Sequence, residues 1–434
     1  MPPTTAPAPA TAPAPATATE TETETETAPA TGLAPHAASA PVTAPRGPAR
    51  PVVSWARARV LAHGAPCPLP ARTVPLRDAG GLTLADDLPT LRPLPGFDTA
   101  AMDGYAVSGT GPWRIRAVVR AGAPWAGVLG AAECVEISTG AAVPTGAHAV
   151  LPLESAVTMD DGRVSGPVPP PGRHIRRTGE DAPAGRRLAP AGTRIGPALL
   201  GLAASCGHDT LRVRPRPRVG VLVTGDELDH AGVPGPGRVR DALGPLLPAL
   251  IAELGGETAE LGYVPDRSGR LSAAVRAVRD ADVVVVTGST SVGATDQLRR
   301  LLADAGARMV VDTVACRPGH PMLLAEQAPD RWVVGLPGNP YAALVAARTL
   351  LGPLIAGLSG RALDPLPHVP VHGRARPAPG STRLVPVTWD GARARIADGH
   401  RAAFLQGAAV GDALAAIPSD WTDGSAAPLL LTAG

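Results

Sequence analysis

Ala281-Asp282-Val283-Val284-Val285-Val286-Thr287-Gly288-Ser289-Thr290-Ser291-Val292-Gly293-Ala294-Thr295-Asp296 is the stretch on which the fold of this chain turns. Four consecutive valines followed by a turn predict a strand buried on both faces. Leu298, Leu301, Leu302 and Ala305 follow at helical spacing, so the unit reads strand, turn, helix. In open α/β sheets, ligands sit beyond the carboxyl ends of the strands. Backbone N–H groups of such a turn, with the N-terminus of the next helix, form an anion site. Gly288, Ser289, Thr290 and Ser291 would supply that cradle, and Asp296 adds a carboxylate. An ordinary polar turn has the same composition, so the stretch alone leaves both readings open.

The flanking sequence extends the pattern. Residues 217–361 alternate strand and helix signals and predict a mostly parallel sheet. Arg218–Val223 reads as a buried strand ending at Thr224-Gly225-Asp226-Glu227. A helix is expected around Leu246–Leu254, closed by Gly255-Gly256, and another around Leu271, Val275 and Val278. Val310–Val314 reads as one strand running into Arg317-Pro318-Gly319-His320-Pro321. Trp332–Gly335 is the last, followed by Leu336-Pro337-Gly338-Asn339-Pro340-Tyr341 and a helix through Leu351. Asn339, the only asparagine, fits an N-cap with proline at the first helical position. The three strand ends at 224–227, 287–291 and 336–339 are expected to converge on one side of the sheet, which is what a ligand site needs.

Elsewhere the signals are weaker. Residues 1–50 are rich in Pro, Ala and Thr, with a Thr-Glu repeat, and predict a disordered tail. Val53–Ala65 suggests a short amphipathic helix. Leu94–Val107 reads as a loop with two acids, Asp98 and Asp103, which is either a site or a structural turn. Trp113–Pro171 suggests a small β domain. Arg176, Arg177, Glu180 and Asp181 form either a catalytic loop or a salt-bridged turn. Residues 368–434 alternate apolar and polar and suggest a β-barrel or sandwich.

Composition narrows the chemistry. The net charge of +2 gives no argument for nucleic acid or an anionic membrane surface as a partner. There is no lysine, so all 40 basic residues are arginine. A Walker A loop and a Schiff-base lysine are therefore excluded, and any phosphate clamp uses arginine or backbone amides. The four cysteines are far apart and lack zinc spacing, as expected of free thiols in a reducing cytoplasm. No signal peptide or transmembrane span is expected.

Seven motifs then stand in order: PGFDTAAMDGYAV (95–107), STGAAVPTGAH (138–148), IRRTGEDAPAG (175–185), VTGDEL (223–228), VTGSTSVGATD (286–296), CRPGHP (316–321) and GLPGNPYA (335–342). Together they resemble the molybdopterin molybdenumtransferase family, which includes MoeA and the E domain of gephyrin. The resemblance runs from about residue 55 to 430. It implies an α/β multidomain fold: a central, mostly parallel molybdopterin-binding α/β sheet domain (215–361), helical and β front domains (51–97 with 173–214, and 98–172), and a C-terminal β-barrel-like domain (365–434). It implies an L-shaped subunit of four domains and a homodimer, with each site between the sheet domain of one subunit and the front domains of the other. It implies a cytoplasmic, Mg²⁺-dependent reaction that inserts molybdenum from molybdate into adenylylated molybdopterin and releases AMP. Other cofactor-biosynthesis proteins are expected as further partners.

Carried over by position, Asp103, Asp181, Glu227, Asp296 and Arg317 fall at catalytic places, with Glu227, Asp296 and Asp103 as metal ligands. Thr139, Thr224, Gly225, Gly288, Ser289, Thr290, Ser291, Asp266, His320, Pro337, Gly338 and Asn339 fall at cofactor- or substrate-binding places. The chain also departs from the family pattern. Arg317 and His320 replace two lysines, and Thr313 replaces a lysine present in some members. Arg317 keeps the charge and adds a fork that can clamp an oxyanion; His320 is charged only when protonated. Ser289, His148, Leu243 and Ala402 replace a glycine, an aspartate, an asparagine and a serine, while Asp241 is kept. Retained acids with altered anion-side donors leave two functions open: a working molybdenum insertase, or a degenerate paralogue that binds pterin or nucleotide, or scaffolds partners, without turnover. The related adenylyltransferase, which shares the sheet motif, is a third and weaker reading.

Overall fold

The computed structural model describes residues 52–267, 269–288, 297–376, 378–397, 401 and 404–432. The tail at 1–50, the residues Ser289, Thr290, Ser291 and Asp296, and the departure at Ala402 all lie outside the described residues.

A six-stranded sheet occupies the middle of the chain, in the order Glu257–Val264, Arg218–Thr224, Val283–Thr287, Arg331–Leu336, Leu323–Ala328, Arg308–Val311. The first four strands are parallel; the last two add antiparallel at one edge. The four valines occupy the centre, with Val283 beside Val219 on one side and Trp332 on the other. Alternation sends Val283 and Val285 to one face, against the Leu243–Glu253 helix and the helical run Pro340–Leu358. Val284 and Val286 face the helices Arg270–Ala277 and Gln297–Asp304. All four valines are fully buried.

Three elements differ from expectation for identifiable reasons. The Leu243–Glu253 helix starts three residues early because the buried Asp241 accepts the N–H groups of Leu243 and Gly244, each at 2.9 Å. The expected Val310–Val314 strand is two strands, Arg308–Val311 and Thr313–Arg317. The break is at Asp312, whose carboxylate accepts Nε of the buried Arg299 at 2.6 Å. Thr313–Arg317 leaves the sheet to pair in parallel with Val52–Ser54 and, at Cys316 and Arg317, with Thr382–Trp389. Finally, the helix expected to stop at Leu351 continues through Pro353 to Leu358, with a π turn at Ala347–Leu351 just before the proline. This run is long and apolar enough to cross a membrane, but 89% of it is covered by the protein itself.

Thr382–Trp389, Ala394–Ile396, His368–His372, Ala426–Leu431 and Ala413–Ile417 pair in a ring that closes on itself, a five-stranded barrel. Its Leu384, Leu414 and Leu430 share one core with the central sheet. In the front part, a four-stranded sheet runs Arg114–Val119, Glu133–Ile137, Gly104–Ser108, Ala149–Pro152. Gly104–Ser108 corrects the loop reading: the second half of the MDGYAV motif is an inner strand, buried up to Val107. Only glycine fits at 104, because a Cβ there would lie 2.0 Å from the Leu151 carbonyl oxygen.

Candidate active site

The central sheet brings three turns together at the carboxyl ends of its strands. Thr224 Oγ1 donates to the Thr287 carbonyl at 2.6 Å, and the Thr224 N–H donates to Thr287 Oγ1 at 3.3 Å. Gly288 N–H donates to the Leu336 carbonyl at 3.0 Å. Gly288 has φ +81°, and a Cβ on it would lie 2.7 Å from Thr224 Oγ1. A Cβ on Gly338 would lie 3.5 Å from the Gly288 Cα. Thr224-Gly225, Thr287-Gly288 and Leu336-Pro337-Gly338 thus pack as one surface, Pro337 buried and Gly338 exposed.

Carboxylates gather beside it. The N–H of Asp266 donates to Asp226 Oδ1 at 3.2 Å, joining the ends of two adjacent parallel strands. Burial, with the Glu227 and Asp226 charges adding to it, pushes the Asp266 carboxyl above its ordinary value; a hydrogen bond from the Asp226 backbone opposes this. Glu227 is exposed, and Gly225, at φ +145°, lets its carboxylate fold back: a Cβ there would lie 2.8 Å from Oε2. Among the described residues no group of three or more His, Cys, Asp or Glu is arranged to hold a metal ion.

A cavity of about 230 Å³ opens against Asp226, and Tyr263 and His230 line it. Their rings meet at a tilt of 42° with centroids 3.8 Å apart. His230 Nδ1 lies 3.7 Å from Oδ2 of the buried Asp241. Burial first, then the Asp241 charge, raises the phenol of Tyr263. Sequence reasoning missed both rings; the available signal was a rare tyrosine directly before Val264-Pro265-Asp266.

The remaining sheet-side candidates divide by what already occupies them. Asn339 Oδ1 accepts the Ala342 N–H at 2.9 Å, so its side chain caps the Pro340–Leu358 run. Arg317 is exposed, and among the described residues nothing bonds its guanidinium. His320 Nδ1 lies 2.8 Å from the Val314 carbonyl. That contact makes Nδ1 the donor, so the outward Nε2 is an acceptor in the neutral ring and a donor only in the protonated one.

The front candidates form a separate group. Asp103 Oδ1 accepts the Thr139 N–H at 2.7 Å and its hydroxyl at 3.1 Å. Those bonds hold the Asp103 carboxyl below its ordinary value, with Arg120 adding to the effect. Asp181 is paired with Arg176, and Glu180 accepts the Arg177 N–H at 2.8 Å. Asp98 accepts Arg177 at 2.6 Å and the Thr178 N–H at 2.8 Å. The Arg176–Asp181 segment is therefore a turn held by an ion pair, and Arg177 and Thr178 tie it to Asp98 of the PGFD segment.

The chain matches the model of the "MoeA N-terminal region (domain I and II)" over residues 52–207 and that of the "probable molybdopterin binding domain" over 220–357. It is 33% identical over 314 residues to the molybdopterin molybdenumtransferase of Haemophilus influenzae, covering 70% of this chain and 77% of that protein. It is 35% identical over 298 residues to molybdopterin molybdenumtransferase 2 of Mycobacterium tuberculosis, covering 65% and 73%. The crystal structure of a molybdopterin biosynthesis MoeA protein from Pyrococcus horikoshii superposes with a TM-score of 0.71 at 26% identity, over 88% of this chain and all of that one. The convergent strand ends, the closed barrel and these relatives lead to one assignment: the chain belongs to the molybdopterin molybdenumtransferase family, with a MoeA-like multidomain fold.

Proposed function

We propose that this chain is the molybdenum insertase of molybdenum cofactor biosynthesis, transferring molybdenum from molybdate into adenylylated molybdopterin with release of AMP. The observation that carries the reading is the packing of Thr224-Gly225, Thr287-Gly288 and Leu336–Gly338 into one surface, flanked by Asp226, Glu227 and Asp266. Backbone N–H groups of such turns suit a pyrophosphate-linked nucleotide. Arg317 offers a permanent cation with free donors to molybdate, which is an oxyanion and a substrate. The cavity beside Tyr263 and His230 suits a planar heterocycle.

A hydrated magnesium ion fits the oxygen-only donors expected for it, Glu227 and Asp296 with Asp103, and Asp266 adds a further carboxylate beside Glu227. Asp266 is raised by burial and like charge, a condition that a bound cation relieves. When bound, such a metal would supply charge that stabilises AMP's own phosphate as AMP leaves. Asp103, positioned by Thr139, and Asp181, positioned by Arg176, complete the site from the front part of a second subunit in a homodimer. The division into front, sheet and barrel domains at the boundaries given above belongs to the same reading.

The test is AMP release from adenylylated molybdopterin, with and without molybdate and Mg²⁺. No molybdate-dependent release at any Mg²⁺ concentration would reject the insertase. Retained pterin-nucleotide binding would then leave the non-catalytic paralogue. Leu243, buried where the family pattern has an asparagine, is the observation that favours that second reading.

A further inference from the structure

A second cavity, of about 450 Å³, lies along the far half of the Pro340–Leu358 run, away from its Asn339 cap. Four arginines line it, Arg59, Arg194, Arg348 and Arg361, against two carboxylates, Glu253 and Asp364. Three of the arginines are engaged. Arg348 donates to Glu253 Oε1 at 2.8 Å and to the Leu431 carbonyl at 3.0 Å. Arg361 donates to the Leu254 carbonyl at 2.6 Å, and Arg194 reaches the Glu253 carbonyl at 3.5 Å.

Arg59 is different. It is 8% exposed, and among the described residues no hydrogen bond or ion pair holds it. Its Nε is enclosed with no acceptor, as is Nε of Arg348. Its compensation is the Trp55 ring, 5.4 Å from the guanidinium carbon, and the charge of Asp364, which lies beyond ion-pair distance and only partly offsets the burial. Burial pushes Arg59 and Arg361 below their ordinary value, yet a guanidinium does not give up its proton in a protein. An unpaired buried cation is costly. The group this cavity lacks is an anion.

Four cations against two carboxylates leave two positive charges, the complement of a dianion. The rest of the wall is apolar, including Leu254, Leu366 and Leu430, and a bare phosphate would leave it facing water. We propose that this cavity binds a phosphomonoester with an apolar body, Arg59 taking the phosphate and the leucines the body.

The test uses the full chain and calorimetric titration with phenyl phosphate, inorganic phosphate and benzoate at matched ionic strength. Phenyl phosphate should bind at least about tenfold tighter than either of the others. Arg59→Leu should weaken it by about tenfold to a hundredfold, the loss of charge-assisted hydrogen bonds. The thermal midpoint of that variant without ligand should stay level or rise, because an unpaired buried charge is gone. Arg59→Lys keeps the charge without the fork and gives a second reading of the same loss if the leucine variant does not fold. Arg317→Ala should leave phenyl phosphate affinity unchanged. No binding by the wild-type chain, equal affinity for benzoate, or loss of binding in Arg317→Ala with retention in Arg59→Leu would each overturn the proposal.

Discussion

Gly288→Ala tests whether the strand ends are packed against one another or only lie near one another. Two costs follow from the structure. Alanine must adopt φ +81°, a left-handed conformation costing about 1–2 kcal/mol. Its Cβ would also lie 2.7 Å from Thr224 Oγ1. The hydroxyl must turn away, giving up its 2.6 Å bond to the Thr287 carbonyl, worth about 0.5–1.5 kcal/mol net. The expected destabilisation is about 2–3 kcal/mol, read from the urea transition by circular dichroism. Thr224→Ala removes the obstructing hydroxyl, so the double variant should cost at least about 0.5 kcal/mol less than the two single changes added together. A single-variant cost below about 0.5 kcal/mol, or strict additivity, would refute the packing argument. Substitution at Gly288 therefore probes packing before it probes ligand approach, and any loss of nucleotide affinity must be read beside the stability change.

Three further outcomes are expected. Arg317→Ala should leave the urea transition unchanged and lower molybdate-dependent AMP release by about tenfold to a hundredfold, with partial rescue by raised molybdate; a normal rate would remove Arg317 from the site. In the native chain only Cys67 is exposed, while burial raises the thiols of Cys134 and Cys316 to about 12, so a chromogenic disulfide should label one thiol quickly and four after denaturation; a second fast thiol would contradict the burial. Asp98 is held below its ordinary value first by the Thr178 N–H and also by Arg177, so its contribution is full above the unfolded carboxylate range and disappears as pH falls through the lower folded value. Asp98→Asn should flatten that acid limb of the stability curve, and an unchanged limb would mean that the pair with Arg177 contributes nothing.

The sheet was legible because its signal is local. Four valines in a row have one reading when turns bound them, and alternation then assigns each to a face. Asn339-Pro340 likewise announced its own cap. What stayed hidden depends on partners distant in sequence. Nothing near Val310–Val314 tells that Asp312 will be taken by Arg299, thirteen residues upstream, and divide the strand. Gly352-Pro353 looks like a helix stop, and only the π turn before it lets the run continue. The MDGYAV segment looks like a loop until a neighbouring carbonyl is found pressed against Gly104. At the candidate site the sequence identified the polar turns but not the rings that wall the adjoining cavity, because Tyr263 and His230 meet only through the fold.

The strand Thr313–Arg317 has a mechanical meaning. It departs from the sheet's edge and ends in register with the barrel, Arg317 beside Arg383. The guanidinium proposed to meet molybdate is thereby anchored at a joint, and its position is set by two bodies at once. Cutting away the barrel would strip Leu384, Leu414 and Leu430 from the shared core and leave that joint with one side. The C-terminal part is thus no detachable appendage. A shortened chain ending before it would lose the aim of its cation even if every residue of the three turns were still present.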